Sequence, residues 1–236
     1  MKNMIKIFTA VITVLYALSI NAQHCNYYYP MIEGTKMEFQ SFNASDNLEG
    51  IQQLHVKRVK DVPGSTEATL NSRILDSRNR VLHDGDFTVT CSGSEVKLDM
   101  RSLLDPSMME AFDGMDVTME VNDIIIPGEI KVGDRLKDAS LRMTVAMGGM
   151  TISDVTMRVE NRKVESMESI TTPAGTFNTF KISHDYIIDT EAMGMTQLAR
   201  MKTIEYITKD KGAVRTETYD ENGVLQSYTV LTKFNQ

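Results

Sequence analysis

Apolar and polar residues alternate with period two through most of this chain, the signature of extended segments with one dry face and one wet face. The cleanest run sets Met115, Val117, Met119 and Val121 against Asp116, Thr118, Glu120 and Asn122. Met37 and Phe39 alternate with Lys36, Glu38 and Gln40. Residues 51–60 and 66–75 read as two further strands, and Phe87, Val89 and Cys91 share one face. Met143, Val145 and Met147 lead into Gly148-Gly149, and Met150 and Ile152 lead out, which predicts a hairpin. Beyond Val155, Met157 and Val159 the apolar phase slips to Val164, Met167 and Ile170, which predicts a bulge or bend near Asn161-Arg162-Lys163. Phe180, Ile182, His184, Tyr186 and Ile188 then share a face. Turn signals fall every ten or so residues, at 43–50, 62–65, 76–79, 83–86, 173–175, 209–212 and at Asn222-Gly223 among others, so the strands are expected to form an antiparallel meander.

One stretch breaks the rhythm. Asp105 suits a helix N-cap, Pro106 a first helical position and Gly114 an exit, so residues 105–114 are expected to form a short helix with Leu104, Met108, Met109 and Phe112 on one side. The expected fold is therefore mainly β, a single curved antiparallel sheet with one short helix. No linker, repeat or low-complexity tract divides it.

The N-terminus changes the picture of where this sheet resides. A basic start at Lys2 and Lys6 precedes an apolar run over residues 7–20 and a small residue at Ala22, which reads as a secretory signal helix cleaved after residue 22. That run is shorter than the roughly 20 residues a membrane span needs. Gln23 and His24 precede Cys25, an unsuitable setting for lipidation, so one all-β domain over residues 23–236 is expected, exported and with no transmembrane segment after cleavage. Loss of Lys2 and Lys6 takes the formal charge from −7 to −9. With no basic cluster, the chain is a poor match for a nucleic-acid backbone. In an oxidising compartment Cys25 and Cys91 suggest a disulfide closing a loop of 66 residues, worth about 4 kcal/mol on chain-entropy grounds.

The search for chemistry is largely negative. His24, His55, His83 and His184 show no metal-ligand spacing, and no nucleophile elbow, phosphate loop or dinucleotide fingerprint occurs. His184 reads as a hydrogen-bonded core histidine, and His83-Asp84-Gly85-Asp86 as a turn. No catalytic residue, metal or cofactor is expected, and the protein is not expected to be an enzyme. The unusual residue is methionine, 17 in all. Methionine fills irregular cores and also suits adaptable greasy surfaces. Two readings stay open, an ordinary core and an apolar groove for a lipid or acyl chain. In the second, Met108, Met109, Phe112, Met115, Met119, Met143, Met147 and Met157 form the lining. Thioether binding of Cu(I) is a third, weaker fit to the spacing.

The stretch Ile170-Thr171-Thr172-Pro173-Ala174-Gly175-Thr176-Phe177, with Phe180-Lys181-Ile182, resembles a motif of the TapB-like family of uncharacterised secreted bacterial proteins and its domain-of-unknown-function relatives. So do Cys25-Asn26-Tyr27-Tyr28-Tyr29-Pro30, Lys131-Val132-Gly133-Asp134 and the tail from Gly212 to Gly223. The resemblance brings no catalytic residues. Its architecture is similar to the LolA-like half-barrel, a sheet curved around a short helix. Together these imply an exported protein in the periplasm or at the surface of a Gram-negative cell, non-catalytic, with a lipid or lipoprotein acyl chain as ligand. The alternative is a structural module whose partner is a cell-envelope protein.

Overall fold

The computed structural model describes residues 27–104, 112–192 and 194–236. The signal segment, Cys25, Met108, Met109 and most of the expected helix lie outside the described residues. Phe112 to Gly114 form a turn.

The described chain forms thirteen antiparallel strands in one sheet: β1 (Lys36–Asn43), β2 (Leu48–Val62), β3 (Ser65–Asp76), β4 (Val81–Ser92), β5 (Glu95–Leu98), β6 (Asp116–Asn122), β7 (Ile124–Pro127), β8 (Ala139–Met147), β9 (Met150–Thr172), β10 (Gly175–Ala192), β11 (Met195–Thr208), β12 (Gly212–Tyr219) and β13 (Leu225–Asn235). Their spatial order is β6-β8-β9-β10-β11-β12-β13-β1-β2-β3-β4-β5-β7. The meander is thus broken twice. β13 returns to pair with β1, and β6 and β7 swap to opposite edges. Those two edge strands are separated by Asp123 alone, and β7 lies against β8. The sheet therefore curls until its edges nearly meet, further than a half-barrel. A twisted antiparallel sheet hides its edges by this closure.

The slip in apolar phase marks a real bulge. Ser183 pairs with Lys163 and Asp185 with Glu160, leaving Asn161 and Arg162 together opposite His184. Asn161 adopts φ 56°, a left-handed conformation that Asn tolerates. The motif at 171–177 is the β9–β10 hairpin turn, in which Gly175 (φ 136°) pairs with Thr172 and the Thr172 hydroxyl accepts from the Ala174 amide at 3.2 Å.

The turn expected at His83-Asp84-Gly85-Asp86 is absent, because β4 runs straight through it. Gly85 stays extended opposite Ser72. Its missing side chain makes room for the His83 ring, since a Cβ there would lie 2.6 Å from His83 Cε1. Glycine serves here as space in a strand, a role easily mistaken for a turn.

Among the described residues, buried side chains form four apolar clusters. One gathers Met100, Leu141, Met143, Val145, Val155 and Met157, and another Val56, Ala68, Leu70, Val89, Cys91 and Val96. A third joins Tyr28, Val164, Ile182 and Ile207, and the fourth Met37, Phe39, Val214 and Leu231. The tyrosine arm connects the second and third: Tyr27 packs on both, and the Tyr28 ring meets Phe180 edge-on at 5.9 Å.

Candidate functional site

The four clusters do not fill the interior. Between them lies a partly enclosed cavity of about 680 Å³. Its apolar lining includes Phe39, Leu54, Ile74, Phe87 and Leu98, with Leu103 from the short 3-10 turn Met100–Leu103 and Leu104 that caps it, and Tyr29 and Pro30 from the N-terminal arm. Burial pushes the Tyr29 phenol pKa well up.

Part of the lining is polar, and strand register explains why. Glu205 on β11 pairs with Thr216 on β12, Thr216 with Thr229 on β13, and Thr229 with Ser41 on β1. These four residues make one row across four adjacent strands, and the Ser41 and Thr229 hydroxyls bond at 2.8 Å. Gln52 Nε2 donates to Ser72 Oγ at 3.0 Å on the neighbouring strands. Glu205, Thr216, Thr229, Gln52, Ser72 and His83 all line the cavity. The lumen therefore carries both apolar and polar lining, and suits a molecule that is itself part apolar and part polar.

Behind Glu205 sits a buried polar pair. The β9 bulge turns Arg162 inward, where it is 4% exposed, and Nη1 donates to the Ile125 carbonyl at 2.9 Å and the Lys137 carbonyl at 2.7 Å. His184 is buried, at 8% exposure, and its Nδ1 has no hydrogen-bond partner among the described residues. Burial lowers its pKa from 6.5. Glu205 and Asp185 oppose that shift, and Arg162 reinforces it.

His184 is thus held neutral while the unfolded chain binds a proton below about pH 6.5. The unfolded state carries more protons there, so stability is present above that pH and is lost as pH falls from about 6.5 towards the lowered folded value. Urea midpoints between pH 7.5 and 5.5 should fall in the parent and fall less in His184→Leu. Equal slopes in the two proteins would refute this role.

The methionines occupy other places. Met143 and Met157 are buried in the first cluster, at 0% and 5% exposure, and Phe112, Met115 and Met119 pack partly buried against it. Met147 is 58% exposed at a hairpin tip. None of these residues lines the 680 Å³ cavity. Cys91 is buried on β4. The residues that do form the polar lining escaped the sequence reading. Each signal was present but faint: Gln52, Ser72, Thr216 and Thr229 each lie two positions from a buried or half-buried apolar residue on the same strand (Leu54, Leu70, Val214, Leu231). Among the described residues no group of three or more His, Cys, Asp or Glu side chains is placed to hold a metal ion.

A family model described as DUF3108-like matches residues 32–231. A candidate lipoprotein of Parabacteroides distasonis ATCC 8503 is similar in structure, with a TM-score of 0.71 and 27% identity over 90% of this chain and 100% of that one. A candidate exported protein of Bacteroides fragilis NCTC 9343, with a YmcC-like fold, shares the fold at a TM-score of 0.68 and 23% identity, with the same coverage. No curated protein shows significant similarity to the chain. A family of unknown function thus stands as expected, while neither the TapB-like name nor the LolA likeness comes out of these comparisons.

Proposed function

This chain belongs to the DUF3108-like family, and from its lumen we propose that it is an exported, non-catalytic binding protein holding a single-chain amphiphile inside the barrel. One observation carries the reading: a cavity of about 680 Å³ lined by both apolar side chains and a registered polar row. That volume falls within the usual range of small-molecule sites, roughly 300–1,000 Å³. Phe39, Leu54, Phe87 and Leu98 would take the hydrocarbon, and Glu205, Thr216 and Thr229 a hydrogen-bonding group. This moves the acyl-chain site from the methionines to the lining of the cavity. Export rests on the N-terminal signal pattern and on the candidate lipoprotein and exported protein that resemble the chain.

Native mass spectrometry with dodecyl maltoside tests the reading. A one-to-one complex is expected, and Thr216→Phe, which projects a ring into the lumen, should abolish it while the protein remains folded. Absence of any complex, or one untouched by Thr216→Phe, would remove the proposal. The rival reading, a docking module for a cell-envelope protein, is supported by exposed Met147, Met150, Met195 and Leu198 around the β8–β9 and β10–β11 hairpins. It gains if the lumen proves unable to take a ligand.

A further inference from the structure

We infer that Lys211 is the headgroup subsite of this cavity and takes the anionic group, a carboxylate or a phosphate, of the bound amphiphile; the inference rests on the lumen-binding reading above.

The charged side chains of the lining differ in how they are matched. Asp86 is held by Lys57 at 2.7 Å, Arg101 by Asp99 at 2.6 Å and Arg215 by Glu217 at 2.7 Å. Glu205 has the buried Arg162 cation and His184 beside it. Lys211 lines the same cavity and has no carboxylate within ion-pair distance among the described residues. Its ammonium sits over the Phe234 ring at 4.4 Å and the Phe177 ring at 5.8 Å. Ring faces attract the charge but satisfy N–H donors only weakly, so the three ammonium hydrogens still need oxygen acceptors.

The position is also fixed. The Asp210 amide donates to the Tyr27 carbonyl at 2.6 Å, which ties the β11–β12 turn to the N-terminal arm. Gly212 (φ 78°) packs so closely that a Cβ would lie 3.3 Å from the Tyr28 carbonyl oxygen. Lys209, two residues earlier, reaches Glu129 at 3.8 Å, so the charge facing outward is matched and the one facing the cavity is not. A fixed cation lining a largely apolar cavity favours an anion there, because a charge-assisted hydrogen bond is stronger where water is partly excluded.

The test compares dodecyl maltoside, dodecanoate and dodecyl phosphate by displacement of a lumen-bound naphthylamine dye, in the parent, Lys211→Met and Lys211→Arg. The parent should bind one or both anions about tenfold to a hundredfold more tightly than the maltoside, as a charge-assisted hydrogen bond supplies. Lys211→Met should lose that preference and keep maltoside binding, and Lys211→Arg should retain it. Which anion is preferred separates a carboxylate from a phosphate source. If the parent binds all three alike, or Lys211→Met keeps the anion preference, the headgroup assignment fails while the lumen reading survives. If none binds, the lumen reading itself fails.

Discussion

Replacing Arg162 with methionine will lower the unfolding free energy by about 3 kcal/mol or more, measured by urea denaturation. The sheet order leaves β6 and β7 as edges, with no backbone ladder between β7 and β8. Arg162 spans that seam. One guanidinium nitrogen serves a carbonyl on β7 and another in the segment leading to β8, at 2.9 and 2.7 Å. Methionine would fill the volume but leave both carbonyls unpaired in a buried place, at about 1–3 kcal/mol each. Replacing a buried ion pair wholesale by apolar groups can be neutral, but here the acceptors are backbone and cannot be substituted away. Hydrogen exchange should rise first in β7. A loss below about 1 kcal/mol would show that the seam is held by something else.

Met143→Ala should cost about 2–5 kcal/mol, and Met143→Leu less than about 1.5 kcal/mol. Met143 is fully buried between Leu141, Val145, Val155 and Met157. Truncation removes its contacts and leaves a void, whereas leucine conserves most of the volume. Maltoside binding by folded Met143→Ala should match the parent, since Met143 does not touch the cavity. A binding loss without a stability loss would reinstate the methionine groove.

Features set by a few adjacent residues were readable in advance. The Gly148-Gly149 and Asn222-Gly223 hairpins and the bulge at Asn161-Arg162-Lys163 each announce themselves by a turn dipeptide or a slip of phase. The purpose of the bulge was not readable, because Arg162 gains meaning only against carbonyls about 25 and 37 residues away. Closure of the sheet was invisible for the same reason, since β6 and β7 look like ordinary consecutive strands. The polar row was hidden differently. Alternation identifies an inward face by its apolar members, so Thr216 or Ser72 in that phase reads as an irregularity. Only pairing across strands shows that such irregularities coincide. Methionine, conspicuous in composition, drew attention to the densest packing.

The pairing of β13 with both β12 and β1 has a kinetic consequence. Most neighbours in this sheet are joined by short turns and can zip locally. The β1–β13 contact instead brings together residues such as Glu38 and Thr232, 194 positions apart. Closing so long a loop is entropically costly before any contact rewards it. The two flanking arrays of hairpins can therefore gain structure early, but the lumen has no complete wall until β13 arrives. The polar row, half of it on β13 and β1, is assembled only in that final step. Occupancy of the cavity would then report directly on completed folding.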